Sequence, residues 1–258
     1  MRLSAQESEA VRVHSEQAGL FRDRYEELAG DPYRSCFAYT RHRLHARLDA
    51  LLPPGRIGAR LLDLGCGTGH HLAWAHGRGY ECSGVDGSEA MLAQAGRLNP
   101  GADLRLEPVD GTSFPEAAFD ALLCVEVLRY LPDVRPCVRE IARVLKPGGT
   151  ALVTASPLFN LSGYPLVNRL ALRVPWGRVV RLKQFFHTSR GLRIAFRDVG
   201  FRHVTVRGVH MGVINWMERV APRRIGPLLR ALEPLDARLS DSPAMRDLSG
   251  MLLVHAER

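Results

Sequence analysis

Leu61-Leu62-Asp63-Leu64-Gly65-Cys66-Gly67-Thr68-Gly69 decides the reading of this chain. Its apolar start reads as a buried strand, and its end as a glycine-rich turn leading into a helix over His70–Arg78. Glycine at alternate positions lets the backbone take positive φ and lets a ligand press against the main chain. The turn is not the dinucleotide fingerprint GxGxxG, because His70 stands where its last glycine would fall.

Outward from the turn, short apolar runs alternate with helical stretches. Glu81–Val85 reads as a strand, and Ser88–Leu98 as a helix capped by Ser88 with Met91, Leu92 and Ala95 on one face. Leu104–Leu106 and Ala121–Val125 read as strands, Val134–Leu145 as a helix, and Thr150–Thr154 as a strand after the Pro147-Gly148-Gly149 turn. Such alternation implies a parallel sheet with helices on both faces. Residues 5–56 read as helical, with Phe21, Tyr25 and Leu28 and then Leu44 and Leu48 at helical spacing, ended by Pro53-Pro54-Gly55. Beyond residue 155 a helix over Ser189–Val199, capped by Thr188 or Ser189, stops at Gly200. His203–Val206 and Met251–Val254 read as closing strands, separated by a connection long for a compact domain. The expected organisation is an N-terminal helical cap (1–56), a core (57–155), and a lid with closing helix and strands of the same domain (156–258).

The acidic-x-Gly-x-Gly-x-Gly pattern of Asp63–Gly69 resembles the first motif of the class I S-adenosylmethionine (SAM)-dependent methyltransferases. Gly84-Val85-Asp86, Glu107-Pro108-Val109-Asp110-Gly111-Thr112, Phe119–Val125 and Leu145–Thr150 follow in that family's order and spacing. The resemblance implies a Rossmann-like doubly wound α/β fold: a mostly parallel seven-stranded sheet, helices on both faces, N-terminal helices and a helical cap. It implies SAM as cofactor, with Gly65, Cys66, Gly67 and Gly69 cradling it and Asp63 near its ammonium group. Asp86 would accept hydrogen bonds from the ribose hydroxyls, with Gly87, Ser88 and Met91 alongside. Asp110 would meet the adenine amino group, and Gly111, Thr112, Cys124 and Val125 complete the set. Arg41 and Arg43 precede the core where related enzymes carry an arginine that grips the SAM carboxylate, and Arg43 is taken for that role.

Thr188–Leu192 through Val199–Phe201 is similar to the small-molecule, quinone- and natural-product-modifying branch, which points to methylation of oxygen, nitrogen or carbon on a lipophilic or anionic metabolite. A non-catalytic SAM-binding scaffold and another nucleotide-binding α/β enzyme are the alternatives. His187, where a substrate lid folds over the site in such enzymes, is the candidate general base. Leu128-Arg129-Tyr130 stands where many members show paired histidines. The motifs of adenine-, glutamine- and cytosine-modifying relatives are missing after the fourth strand, which argues against nucleic acid as substrate.

Of the +8 formal charge, the segment from Ala155 to Arg197 is the main source, since it holds no Asp or Glu. There Leu166, Val167, Leu170 and Val174 fall at helical spacing beside Arg169 and Arg173, and Trp176 is followed by Arg178, Arg181 and Lys183. A basic amphipathic stretch of this kind over 156–186 suggests contact with an anionic membrane surface. The five cysteines form no CxxC pair, so neither a disulfide framework nor a metal site is expected. An N-terminus without an apolar leader, and no spanning run, suggest a cytoplasmic address.

Overall fold

Strand β1 (Arg60–Leu64) is short, apolar and buried, and the sheet grows from it in both directions. A computed structural model describes residues 4–26, 30–171, 182–214, 217–218 and 222–258. β1 pairs in parallel with β2 (Glu81–Asp86) on one side and β4 (Phe119–Cys124) on the other. Parallel pairing continues to β3 (Asp103–Leu106) beyond β2, and to β5 (Leu145–Ala155) beyond β4. β7 (Leu252–Glu257) then inserts antiparallel between β5 and β6 (His203–Gly208). The seven strands lie in the order β3-β2-β1-β4-β5-β7-β6, so the expected mostly parallel sheet is the one observed.

Alternation along the strands sorts the core into two layers. Leu62 and Leu64 face Val138 and Ile141 of helix α6 (Arg135–Val144) and Leu192 and Phe196 of α8 (Ser189–Arg197). Leu61 faces the other way, toward Leu44 and Leu48 of α3 (Cys36–Leu51) and Ala75 of α4 (His70–His76). α1 (Ala5–Glu16) and α2 (Ala18–Glu26) precede α3, and α5 (Glu89–Leu98) joins β2 to β3. Ser4, Ser35, Ser88 and Thr188 cap α1, α3, α5 and α8 with their side-chain oxygens. α7 (Tyr164–Ala171) follows β5, and the long connection between the closing strands holds α9 (Ile225–Asp241), which packs Ile225 and Leu229 on Tyr39 of α3.

The strand boundaries differ from the reading of sequence by one to a few residues, most at β5, which already begins at Leu145. Lys146 there pairs with Asp120, and Gly148 takes φ +78° inside the strand's first irregular stretch. Leu28, Arg173, Val174, Trp176, Arg178 and Arg181 lie outside the described residues. Among those described, no helix is long and apolar enough to cross a membrane.

Candidate active site

The glycine turn is fastened to the end of β2. Gly65 and Cys66 donate their N–H groups to the Val85 carbonyl at 2.8 and 2.9 Å. Gly67 N–H donates to Asp86 Oδ2 and Ser88 N–H to Asp86 Oδ1, each at 2.9 Å. All three turn glycines have positive φ, but for different reasons. A Cβ on Gly65 would collide with Val127, and one on Gly69 with Ala95 and Asn99 of the α5 end. A Cβ on Gly67 would meet nothing within 4 Å, because it points into open space.

That space is a cavity of about 610 Å³ along the carboxyl edge of the sheet, where ligands bind in open α/β folds. Gly65, Cys66, Gly67, Asp86, Gly87, Met91 and Val125 line it. Gly69 instead begins α4, and Ser88 is buried, where its hydroxyl meets Ser15 of α1 at 2.7 Å and caps α5. Glu107, Pro108 and Val109 line the cavity, whereas Asp110 and Gly111 are exposed outside it. Thr112 is turned to α6, where its N–H and hydroxyl both donate to Glu140. Cys124 lies in the core beside Cys137, so only its backbone approaches the strand end.

Beneath the turn are polar groups without hydrogen-bond partners among the described residues. Asp63 shares Leu61's face of the sheet, is 1% exposed, and neither of its carboxylate oxygens is hydrogen-bonded. Burial, with the charge of Asp86, pushes its carboxyl up to about 8. His71, on α4, is buried with both ring nitrogens unpartnered, and burial holds it well below its ordinary pKa. Arg41 lines the cavity at 8% exposure with Nε and Nη1 unpartnered, its Nη2 lying 3.7 Å from Glu126. Leaving buried polar atoms unmatched costs about 1–3 kcal/mol each. A buried carboxyl without a partner, which an incoming ammonium group would ionise, and a donor-only guanidinium are the two groups a zwitterionic amino-acid tail would satisfy, so the residues present fit SAM.

Arg43 does not join them. Two residues on, it leaves α3 on a different face and approaches Glu233 Oε1 at 3.4 Å and Asp236 Oδ2 at 3.6 Å of α9. The arginine at the cavity is Arg41, and the expectation for Arg43 is corrected by helical phase. His187 is likewise absent from the lining. Its N–H donates to Ser156 O, its Nε2 is 3.4 Å from Leu128 O, and burial lowers its pKa, so it ties the lid segment to β5.

The opposite end of the cavity holds residues that motif reading passed over. Glu126, with φ +65° just past β4, pairs with Arg129, and its N–H donates to Thr154 Oγ1 at 2.7 Å. Burial pushes the Glu126 carboxyl up, but Arg129 and Arg41 outweigh it and hold it below the usual range. Back toward the glycine turn, Phe21, Tyr25 and Phe37 form an aromatic wall, with Tyr25 stacked on His70 at 4.4 Å, Arg41 over Tyr25 at 5.4 Å and Arg24 over Phe37 at 4.4 Å. Tyr130 and His210 complete the opposite end. Only the helical spacing of Phe21 and Tyr25 hinted at a shared face; the rest meet through tertiary packing.

Residues 62–153 match the methyltransferase domain family. The chain is 29% identical over 217 residues to trans-aconitate 2-methyltransferase of Methylobacterium nodulans, spanning 78% of this chain and 80% of that one. It is 33% identical over 158 residues to a ubiquinone biosynthesis O-methyltransferase of Pseudomonas fluorescens, spanning 56% of this chain and 68% of the relative. Haemonchus contortus phosphoethanolamine N-methyltransferase 2, solved with phosphomonomethylethanolamine and S-adenosylhomocysteine, shares the fold at TM-score 0.66 and 20% identity, over 99% of this chain and 60% of that one. The glycine turn, the sheet order and these similarities agree: the chain belongs to the class I SAM-dependent methyltransferases, with SAM as its methyl donor.

Proposed function

We propose that this methyltransferase acts on a small, lipophilic or anionic metabolite. The observation that carries the reading is the cavity itself: one volume of about 610 Å³, walled by Phe21, Tyr25, Phe37 and Tyr130 and edged by Arg24, Arg41 and Arg129. Such a space suits a donor and a small acceptor together. In this reading Asp86 receives the ribose hydroxyls, Asp63 the ammonium group, and Arg41 the carboxylate. The bound donor supplies a methyl group already activated on a sulfonium. The protein's share is alignment, with reacting atoms held about 3–3.5 Å apart, and exclusion of water. The cap over 1–56, the core over 57–155 and the lid and closing segment over 156–258 are the working frame of this reading.

Methyl-labelled SAM incubated with the protein and a deproteinised metabolite extract tests it. Label should enter the small-molecule fraction, and a deletion strain should lack the corresponding +14 Da species. Label confined to protein or nucleic acid would overturn the reading.

The same proposal includes a cytoplasmic address and peripheral membrane contact through 156–186. Leu158, Phe159, Leu161, Leu166 and Val167 are exposed there, and Arg169 lies on the same stretch. Attraction to anionic lipid is worth about 1 kcal/mol per basic side chain and fades with salt. The protein should therefore sediment with anionic vesicles at low salt and leave them at high salt. Replacing Arg173, Arg178 and Arg181 by Gln should weaken sedimentation, and protein that stays in solution at low salt removes this part of the proposal.

A further inference from the structure

Arg129 lines the cavity from the short helical turn Leu128–Tyr130 after β4, which lies across β1 from β2. The chain holds it from two sides. Its Nε donates to Gln184 Oε1 at 3.1 Å, and its Nη1 donates to a Glu126 carboxylate oxygen. Its carbonyl accepts from Phe185 N–H at 2.8 Å, and Gln184 N–H donates at 3.2 Å to Oδ1 of Asn168, buried on α7. The guanidinium is therefore pinned between the segment after β4 and the lid segment. A guanidinium carries five N–H donors in a rigid fork. The two contacts engage Nε and Nη1, and Nη2 has no hydrogen-bond partner among the described residues. The hydroxyl of Tyr130, in the same lining, has none there either. Burial pushes that phenol up to about 12, so it stays a neutral donor.

Charge alternates along this side of the cavity. Glu126 sets one carboxylate oxygen on Arg129 and the other 3.7 Å from Arg41 Nη2. Its backbone is held at φ +65° by the bond to Thr154, and such strain persists where the surroundings fix a side chain in place. One carboxylate thus serves two guanidiniums and cannot neutralise both. Arg41 keeps Nε and Nη1 for the donor's carboxylate, which leaves Arg129 in surplus. No second acid answers it. Glu7 accepts from Ser4 at the start of α1, Asp86 braces the glycine turn, Glu107 meets Ser113 beyond β3, and Glu218 meets Cys36 at the start of α3. The lid segment that holds Arg129 contains no Asp or Glu from Ala155 to Arg197. The row of donor carboxylate, Arg41, Glu126 and Arg129 is completed by an anion. Resting on the small-molecule reading above, we propose that Arg129 selects acceptors bearing a carboxylate or phosphate group apart from the atom that is methylated. The Tyr130 hydroxyl is the second donor to that group. The anion fixes one end of the acceptor and leaves the other to meet the methyl group, so binding away from the reacting atoms serves their alignment.

Wild-type protein, methyl-labelled SAM and a deproteinised metabolite extract test this directly. The labelled product, resolved by mass spectrometry, should hold a free carboxylate or a phosphate group. Fragmentation with loss of carbon dioxide marks the first source, and loss of metaphosphate the second. A labelled product with neither group overturns the proposal. Variants give the second arm. Arg129→Gln should lower label uptake into that product about 10- to 100-fold at extract concentrations, the effect of losing charge-assisted hydrogen bonds. Arg129→Lys, which keeps the charge but not the fork, should recover part of it. S-adenosylhomocysteine affinity, measured by calorimetry, should move no more than a few-fold in either variant. Uptake by Arg129→Gln equal to wild type, or a loss matched by an equal loss of S-adenosylhomocysteine affinity, overturns the assignment. Label reaching only macromolecules would sink the small-molecule reading instead, which keeps the two failures apart.

Discussion

At the β1–β2 end of the cavity, much of what faces inward is backbone: the Gly65–Gly67 turn, fastened to Val85 and Asp86 by main-chain N–H groups. At the β4-to-β6 end, what faces inward is side chain, drawn from α3, the segment after β4 and the segment after β6. A backbone bed tolerates little substitution, because its shape is set by φ and by close approach. A side-chain wall can be rewritten residue by residue while the sheet beneath it stays the same. One fold can therefore keep its donor and change its acceptor.

The sharpest way to break this contrast is Gly67→Val. Its side chain would enter the open cavity and a β-branched residue resists φ +52°, so SAM binding should drop at least about 100-fold while the protein still folds. Gly65→Val, whose side chain would strike Val127, should instead fail to fold. Wild-type donor affinity in Gly67→Val, measured by calorimetry, would mean that the turn is not the bed.

Next in size is Asp63→Asn. The native carboxyl holds its proton up to about pH 8, against an ordinary value of 3.8. The native state therefore binds the extra proton across that window, and this residue's contribution to stability declines as pH rises through it. Without donor, Asp63→Asn should gain on the order of 5 kcal/mol at pH 8 and little near pH 4. SAM affinity should fall in the same variant, a trade of stability against function. Denaturant unfolding at the two pH values, showing no difference between variant and wild type, would count against an unpaired Asp63.

Asp86→Ala removes two roles at once, since its oxygens already accept from Gly67 and Ser88. Donor affinity should weaken by roughly 1.5–3 kcal/mol, and stability should also fall, by about 1–3 kcal/mol. Unchanged donor affinity would leave Asp86 as a brace of the turn alone.

The smallest expected effect separates two neighbouring arginines. Arg41→Met should weaken SAM binding by about 1–2 kcal/mol and leave the fold sound. Arg43→Met should do the reverse, because Asp236 and Glu233 lose a buried partner. Donor titration and thermal unfolding of both variants would show the opposite pattern if α3 presented Arg43 to the cavity.

The sequence by itself was enough for the parallel core, the glycine turn, the acid Asp86 at the end of β2 and the cap at Ser88, because each depends on residues within a few positions of one another. Strand alternation, helix caps and positive-φ turns are local physics, and their spacing along the chain is their geometry. Glu107, rather than Asp110, lines the cavity because β3 ends before it and the chain then turns outward, a matter of a few residues at an element boundary. The choice of Arg41 over Arg43 needed the rotation of α3 against the sheet, which is set by where Leu44 and Leu48 find their core. The place of His210 needed more still: its ring meets the Met211 carbonyl, and Met211 is held by Asp236 on α9, which Tyr39 on α3 also meets. Such residues have no spacing in the chain that marks them, since hydrogen bonds and burial between distant segments exist only once the tertiary structure has brought those segments together.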